Sequence, residues 1–425
     1  MEKKKFSRLE DDGSTYFTTY GSGNPMVTIF EEIDNQIAAK PQNACISLVD
    51  KPSGCDIVTY NDGNTPTPER MERMAYVGKS QSDRNGASIC GIGQIEGLIA
   101  GRNSSTACGT LVFTSVNGGE KSVFHCDANG KTCQISGYTE IGQTVADVDH
   151  VEKVYSNMKR IKSNEDMNKL KAKIAAKIYP YASKNPEFIF KFNGEVITPF
   201  SVLYDNVNSL LIRRMPLKSY EVKLNGKTYT VKCGGVDTSG YTKLNGGRII
   251  MENADPLDIA YNCGPEACGI FIEVGGVNTI MGGRDSWNLV GQNYHSTKNG
   301  IRFWISIDDN GDLKDAVFQE SANKSSVGTK LTDIFDARGE MVFKEIIDDI
   351  KKYCITWKEN PVQGNGGSVK TKKQCEEIYR KTILKEEFKD DFIKLYNKWP
   401  EEMSGIAWKK MKTIIKDMQC VSVAQ

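Results

Sequence analysis

The sequence lacks three features, and each absence argues against a class of function. No segment approaches the roughly 20 consecutive apolar residues that a membrane-spanning helix needs, so no membrane partner is expected. Lysine and arginine number 55 against 54 aspartates and glutamates, which gives a net charge of +1. The chain as a whole therefore carries no electrostatic signature of nucleic-acid or membrane binding. Only three histidines are present, which argues against a metal site built from that residue.

Cysteine is present but forms no disulfide framework, because the twelve cysteines are scattered. Cys263 and Cys268 are a close pair with plausible metal-ligand spacing, and Cys126 and Cys133 form a looser group with His125. A zinc site usually needs two tight pairs or a cysteine and histidine set, so free reduced thiols are favoured and structural zinc is the minor alternative. The N-terminus lacks the apolar segment of a secretory signal. A cytoplasmic protein, or a nuclear one in a eukaryote, is expected rather than a secreted one.

Four short motifs follow one another within the first hundred residues. The first is Glu31-Glu-Ile-Asp-Asn35, and Asn61-Asp-Gly-Asn64 comes next, after an apolar run. Tyr76-Val-Gly-Lys-Ser80 and Cys90-Gly-Ile-Gly93 complete the set. Each motif alone has a high false-positive rate. In this order they predict a pocket for a nucleotide and a divalent metal ion.

The first motif carries the expected catalytic and metal-binding side chains. Residues at i, i+3 and i+4 lie on one face of a helix, so Glu31, Asp34 and Asn35 are expected to project together. A carboxylate there suits a general base that orients an attacking water. A neighbouring amide oxygen suits Mg²⁺, which takes few protein ligands and keeps several waters and phosphate oxygens. The alternative is an ordinary amphipathic helix with solvated carboxylates.

The turn and glycine motifs supply the expected nucleotide contacts. The apolar run at 57–60 predicts a strand, and the turn residues that begin at Asn61 end it. A short polar side chain at the end of a strand can bind the edge of a base. Gly91 and Gly93 let backbone amides approach phosphates where a helix begins, and residues 95–100 are the expected helix. A plain hairpin turn and an ordinary glycine-containing loop are the alternatives.

Together the motifs resemble those of the GHKL ATPase superfamily, which includes DNA gyrase B, MutL, MORC proteins and the ninety-kilodalton heat-shock chaperones. The resemblance puts Glu31 at the water-activating position and Asn35 at the Mg²⁺ position. It puts Asn61 where the family has an adenine-contacting aspartate, with Asp62 taking that role if the loop shifts by one residue. The further nucleotide contacts that it implies are those of Gly63, Lys79, Gly91, Gly93 and Thr144.

Two positions depart from the family pattern. Asn61 replaces the aspartate, and Thr65 replaces the last glycine of the turn. An amide oxygen accepts a hydrogen bond from an adenine amino group, whereas an amide NH₂ donates to a guanine carbonyl. ATP with Mg²⁺ is the expected ligand pair, and the choice of base is the open point.

The second half of the chain predicts another α+β domain. Asn225-Gly226 between two alternating runs predicts a hairpin, and residues 269–274 and 301–307 predict strands. Before them, residues 151–178 carry helical periodicity. The strand order, with Asn323-Lys324 after the last strand, resembles the transducer domain of MORC-like and MutL-like proteins. That resemblance implies that Lys324 contacts the γ-phosphate, and the alternative is a surface-loop lysine.

The expected fold class is α+β in four segments. These are a mobile N-terminal arm at 1–24, a GHKL-type α/β-sandwich ATPase domain at 25–205, a transducer-like domain at 206–335 and a helical region at 336–425. The resemblance implies an ATP-hydrolysing clamp that forms a homodimer when nucleotide binds, with Glu31 and Lys324 as catalytic residues. DNA is the expected substrate, and the C-terminal helices are an expected site for a protein partner. A chaperone-like ATPase acting on protein clients and a low-turnover nucleotide-binding module are the alternatives.

Overall fold

The structure, a computed structural model, describes most of two domains. The described residues are 2–4, 24–73, 93–102, 108–129, 131–132, 134–144, 148–161, 164–205, 213–238, 268–295, 298, 300–307, 312–318, 330–359, 370–371 and 402–403. The predictions that lie outside them concern Lys79, Gly91, Lys324, Cys263, most of the arm at 1–24 and the helices expected after residue 371.

The first domain is built on a nine-stranded sheet. In sequence order its elements are β1 (Glu2–Lys4), α1 (Pro25–Ala38), β2 (Asn43–Lys51), β3 (Gly54–Asn61), α2 (Pro68–Arg73), α3 (Gly93–Gly101), β4 (Cys108–Asn117), β5 (Glu120–Asn129), β6 (Gln134–Gln143), β7 (His150–Met158), α4 (Asn164–Lys184), β8 (Ile189–Phe192) and β9 (Glu195–Val196). The strands lie in the order β1-β6-β5-β4-β7-β3-β2-β8-β9. The β2–β8 pair is parallel and the other neighbours are antiparallel.

Helix α1 is the element on which the expected site is built. It begins after Asn24, whose side-chain oxygen accepts a hydrogen bond from the backbone N–H of Met26 at 3.0 Å, as a helix N-cap does. Ile29, Ile33 and Ile37 recur every four residues and are buried in the domain core. This apolar stripe fixes the rotation of the helix on the sheet, so the positions of the polar residues between are fixed as well.

The helical periodicity predicted from residue 151 was wrong for its first part. Residues 150–158 form β7, and the helix α4 begins only at Asn164. Val151, Lys153 and Tyr155 are buried and alternate with more exposed residues, which is the period of a strand. The alternation escaped the sequence analysis because one of its inward-facing residues is a lysine.

In its described residues, the second domain is a five-stranded sheet with two α-helices. Its elements are β10 (Arg213–Leu224), β11 (Lys227–Asp237), β12 (Gly269–Val274), β13 (Val277–Met281), β14 (Ile301–Ile307), α5 (Asp312–Phe318) and α6 (Lys344–Glu359). The strand order is β10-β11-β14-β12-β13, with β12 and β14 parallel. Trp287, Phe303 and Trp357 belong to the core that the sheet shares with α6.

Several predictions for this domain are confirmed. The hairpin β10–β11 turns at Asn225 and Gly226, whose φ angles of 52° and 77° lie in the left-handed region that this dipeptide adopts readily. The strands predicted at 269–274 and 301–307 are present with those bounds as β12 and β14. The two mixed sheets with their helices confirm the α+β fold class.

Both ends of the chain contribute short strands. Glu2–Lys4 of the expected arm pairs with β6 of its own chain at the edge of the first sheet. Lys370–Thr371 and Glu402–Met403 pair with each other to form β15 and β16, so the expectation of a helical region at 336–425 was wrong at these four residues. Within the described part of the chain, no helix has both the length and the apolar character that a membrane crossing requires.

Candidate nucleotide site

The turn after β3 lies directly against the C-terminal end of α1. The backbone N–H of Asn64 donates to the carbonyl of Ala39 at 2.6 Å. A Cβ atom at Gly63 would lie 2.3 Å from that same carbonyl oxygen, so only glycine allows the approach. The turn that contains Asn61 is thereby fixed beside the helix that carries Glu31 and Asn35. Two motifs that are distant in the sequence meet at one place.

Asn61 and Asp62 face different surroundings in this turn. Asn61 is the last residue of β3, is 3% exposed, and accepts a hydrogen bond at Oδ1 from the N–H of Gly63 at 3.1 Å. Asp62 accepts from the backbone N–H groups of Gln42 and Asn43 at 2.9 and 2.8 Å, and from the Asn43 side chain at 2.7 Å. Asp62 therefore joins the α1–β2 loop to the turn. Asn61 lies on the strand face that is turned toward α1.

Helix α3 packs antiparallel to α1 at very short range. The hydroxyl of Thr28 donates to the carbonyl of Gly97 at 2.6 Å, and the N–H of Asn24 donates to the carbonyl of Ala100 at 2.7 Å. A Cβ at Gly101 would lie 2.0 Å from Thr28 Oγ1, so glycine is needed there too. The helix expected at 95–100 is confirmed as α3, with Gly93 as its first residue. Because the two helices are antiparallel, the N-terminus of α3 points along α1 toward Glu31–Asn35, and helix N-termini attract phosphate.

Glu31 and Asn35 occupy neighbouring turns of α1 with different exposure. Glu31 is 4% exposed, whereas Asn35 is partly exposed. Asn35 Nδ2 donates to Glu32 Oε1 at 3.1 Å, so the amide oxygen of Asn35 is directed away from that carboxylate. An amide oxygen near a carboxylate is a hard oxygen donor set of the kind Mg²⁺ prefers. The amide oxygen of Asn35 therefore suits Mg²⁺ together with the oxygens of a bound phosphate, and the Glu31 carboxylate lies one helical turn away.

Asp34 was expected to project together with Glu31 and Asn35. Its carboxylate forms an ion pair with a lysine of α4. Its Oδ1 lies 2.6 Å from Lys177 Nζ of α4, and the two side chains are 3% and 2% exposed. Lys177 Nζ also donates to the backbone carbonyl of Asn278 in β13 at 3.3 Å. The Asn278 side chain binds both the Ala176 carbonyl, at 2.7 Å, and Trp304 Nε1, at 2.9 Å. Asp34 thus links α1 to the second domain.

Glu32, for which the sequence predicted no role, accepts several hydrogen bonds from buried side chains. Its carboxylate accepts from Lys153 Nζ at 3.0 and 2.9 Å and from Tyr155 Oη at 2.6 Å, with Thr59 Oγ1 at 3.4 Å. Glu32, Lys153 and Tyr155 are all buried. Burial, followed by the neighbouring Glu32 carboxylate, raises the pKa of Tyr155 well above its ordinary value, so its hydroxyl stays a neutral donor. The sequence signal was present in the period-two spacing of Lys153 and Tyr155.

Thr144 lies at the same end of the sheet as Asn61 but not beside it. Its N–H donates to the carbonyl of Gly119 at 3.0 Å, just after β6. Strands β7, β4 and β5 separate β6 from β3. Four strand spacings of about 4.8 Å put the two residues roughly 19 Å apart along the sheet. The residues directly opposite Asn61 are Val151 of β7 and Ala44 of β2.

The described cysteines are free thiols, and the described residues contain no cluster that could hold a metal ion. Within the described ranges, no cluster of three or more His, Cys, Asp or Glu side chains is placed to hold a metal ion. Cys126, Cys268 and four other described cysteines are free thiols. Of the expected ligand contacts, Lys79, Gly91 and Lys324 lie outside the described residues.

No family model matches the chain, and no curated protein matches it in sequence. Among solved structures it is similar to the B subunit of DNA gyrase from Myxococcus xanthus, with 10% identity, a TM-score of 0.41, and coverage of 81% of this chain and 94% of that chain. It is also similar to the ATPase region of topoisomerase II from Saccharomyces cerevisiae, with 14% identity, a TM-score of 0.42, and coverage of 82% and 96%. A third is the ATPase and transducer region of topoisomerase II from Balamuthia mandrillaris, with 12% identity, a TM-score of 0.36, and coverage of 84% and 92%.

At such low identity and TM-score the matches carry no argument of their own. The fold assignment rests instead on the described elements: α1 with the Glu31 motif, the nine-stranded sheet beneath it, and the five-stranded domain that follows. These elements establish a mixed α+β fold built on two sheets with their helices.

Proposed function

We propose that this protein binds ATP with Mg²⁺ against α1 and hydrolyses it. One observation carries the proposal: the Glu31–Asn35 segment lies on α1 between the contact of that helix with α3, at Asn24 and Thr28, and its contact with the turn after Asn61, at Ala39. Each supplies a different part of a nucleotide site. The helix supplies oxygen ligands and a carboxylate, the turn supplies a polar group for a base, and α3 supplies backbone amides for phosphate.

The roles follow from the chemistry of each group. Glu31 is the general base that orients the attacking water, and Asn35 holds Mg²⁺ through its amide oxygen. Bound Mg²⁺ neutralises charge that develops on the phosphate oxygens. Asn61 binds the edge of the base. Glu32 is not a candidate base because its carboxylate is already hydrogen-bonded to Lys153 and Tyr155 in the core.

We further propose that the ATPase acts as a nucleotide-gated homodimeric clamp, with DNA as its substrate. Support for gating comes from the contacts that join α1 to the second domain. Lys177 contacts both Asp34 of α1 and the Asn278 carbonyl of β13. A shift of α1 on nucleotide binding would therefore displace Lys177 and change its contact with β13. Support for DNA is the resemblance of the motifs to those of MutL-like and MORC-like proteins.

Nucleotide binding by the purified full chain tests the proposal. A fluorescent ATP analogue is titrated with and without Mg²⁺, and phosphate release is followed in parallel. Mg²⁺-dependent binding together with slow phosphate release is the expected result. Absence of Mg²⁺-dependent binding at millimolar nucleotide contradicts the site, and binding without any phosphate release contradicts the ATPase but not the site. DNA is then added, and salt-sensitive stimulation of phosphate release is expected.

A further inference from the structure

Glu32 follows Glu31 on α1, is buried, and contacts the proposed metal ligand Asn35. The amide Nδ2 of Asn35 donates to Glu32 Oε1 at 3.1 Å. An ionised carboxylate only accepts hydrogen bonds, so it distinguishes the two ends of an amide. The NH₂ end of Asn35 is attracted to Glu32, and the oxygen end is repelled by it.

We propose that Glu32 is a positioning residue that holds the Asn35 amide with its oxygen toward Mg²⁺. The inference rests on the proposed function, because Asn35 is the proposed metal ligand. An asparagine amide can rotate by half a turn, and the two orientations differ little in energy unless a neighbour selects one. In the wrong orientation the NH₂ group would face the cation. The hydrogen bond from Asn35 Nδ2 to Glu32 disfavours that orientation in the metal-free protein.

The Glu32 carboxylate is itself held in place by two side chains of β7. Lys153 donates to both of its oxygens, and Tyr155 donates to Oε1, the same oxygen that Asn35 uses. Lys153 Nζ also lies 4.7 Å from the centre of the Phe113 ring. The donors come from β7, in the middle of the sheet, so the orientation of a side chain at the helix surface is fixed by the rigid core.

The energetic character of this cluster supports a positioning role. A buried ion pair is a weak source of stability, because removing both charges from water offsets most of their attraction. Apolar side chains of the same size would fill this part of the core at least as well. What apolar side chains lack is an acceptor for the Asn35 amide. Hydrogen-bond partners of metal ligands typically change metal affinity by about 10- to 100-fold when they are removed.

Two double variants separate the acceptor from the charge. Glu32→Met with Lys153→Met removes the ion pair and the acceptor together. Glu32→Gln with Lys153→Met removes the same ion pair but keeps an amide oxygen for Asn35 and Tyr155, and its NH₂ can donate to Thr59. Methionine and glutamine have similar length and volume, so the two proteins differ mainly in the acceptor. Neither leaves a charge unpaired in the core.

The measurement is the Mg²⁺ concentration that gives half-maximal binding of a fluorescent ATP analogue, with the analogue's affinity in EDTA as the metal-free reference. The expected result is a half-point raised about tenfold in the Met/Met variant and within about threefold of wild type in the Gln/Met variant. The affinity in EDTA is expected to be unchanged in both. A general loss of structure would instead weaken binding with and without Mg²⁺.

Equal half-points in the three proteins overturn the positioning role and leave the proposed function intact. Equal increases in both double variants overturn it as well, since the charge rather than the acceptor would then matter. If wild type binds no nucleotide with Mg²⁺, the proposed function fails and this inference falls with it. If the Met/Met variant does not fold, Tyr155→Phe replaces it, because it removes one bond to Glu32 without exposing a charge. Its half-point is expected to rise about two- to threefold, and an unchanged value contradicts the inference.

Discussion

The ammonium of Lys177 lies 2.6 Å from the carboxylate of Asp34, and both are almost wholly buried between α1 and α4. Lys177→Met is expected to destabilise the protein by about 3–5 kcal/mol, because it leaves a buried carboxylate without its cation. Adding Asp34→Asn is expected to recover most of that loss. Urea unfolding of the two single variants and the double variant measures the coupling, and additive effects of the two substitutions would contradict it.

Glu31→Gln is expected to leave nucleotide affinity nearly intact and to lower the rate of ATP hydrolysis about a hundredfold or more, since a positioned general base is lost. Phosphate release under saturating nucleotide is the measurement. Glu345→Gln, at an exposed position in the first turn of α6, is the matched control and should behave like wild type. Normal turnover in Glu31→Gln would remove Glu31 from the mechanism.

Asn61→Asp is expected to raise the preference for ATP over GTP. The Oδ1 acceptor used by Gly63 is kept, while the amide NH₂ becomes a second acceptor suited to an adenine amino group. A change of about tenfold in the affinity ratio corresponds to one charge-assisted hydrogen bond. Asp62→Asn is the control, because it weakens the bonds to Gln42 and Asn43 and should lower stability without changing base preference. An unaltered ratio in Asn61→Asp would place the base elsewhere.

ATP with Mg²⁺ is expected to convert the protein to a dimer, and deletion of residues 1–24 is expected to weaken that dimer. Sedimentation with a non-hydrolysable analogue measures both. The Glu2–Lys4 strand pairs within its own chain, so the deletion also tests whether the arm acts between chains or only at the sheet edge. A monomer at micromolar protein with saturating nucleotide, or equal dimerisation without it, argues against the clamp.

The proposed γ-phosphate contact of Lys324 is tested by Lys324→Ala, which is expected to reduce turnover more than ATP affinity, because a cation at that oxygen matters most as charge develops. Lys79 is the alternative lysine for this phosphate contact, so Lys79→Ala is measured in parallel. Wild-type behaviour of Lys324→Ala together with lost activity of Lys79→Ala would remove the second domain from the catalytic site.

Stability at alkaline pH is expected to depend on Cys126. Burial raises the pKa of its thiol from 9.0 to about 12, so the folded protein keeps a proton that the unfolded chain loses. The pKa of the Cys126 thiol is higher in the folded protein than in the unfolded chain. The contribution of this thiol to the free energy of unfolding is therefore complete below pH 9 and declines as the pH rises toward 12. Between pH 8 and pH 10 the free energy of unfolding should fall by about 1.4 kcal/mol more in wild type than in Cys126→Ala. Parallel urea curves for the two proteins would contradict this.

What the sequence predicted well was local. The hairpin at Asn225-Gly226 and the strands β12 and β14 followed from turn chemistry and short apolar runs, which act within a few residues. The helix predicted at the Glu31 motif is likewise present as α1, within Pro25–Ala38.

What it did not predict depended on partners far along the chain. Lys153 is buried only because Glu32, 121 residues earlier, accepts its hydrogen bonds, and a buried lysine looks like a break in a strand pattern. The ion pair of Asp34 was not predicted because its partner, Lys177, lies 143 residues later, on α4. The separation of Thr144 from Asn61 is a matter of strand order, which no single segment encodes.

The parallel pairing of β2 with β8 has a consequence for synthesis on the ribosome. Asn43 pairs with Ile189, so the strand that follows α1 has no neighbour on that side until α4 and β8 have been made. A nascent chain that ends before α4 already carries Glu31, Asn35 and Asn61, yet Asp34 would be buried without the cation that offsets its charge. The first domain is therefore expected to stay open on the ribosome, and competence for nucleotide to appear late, only after residue 192 has emerged from the exit tunnel.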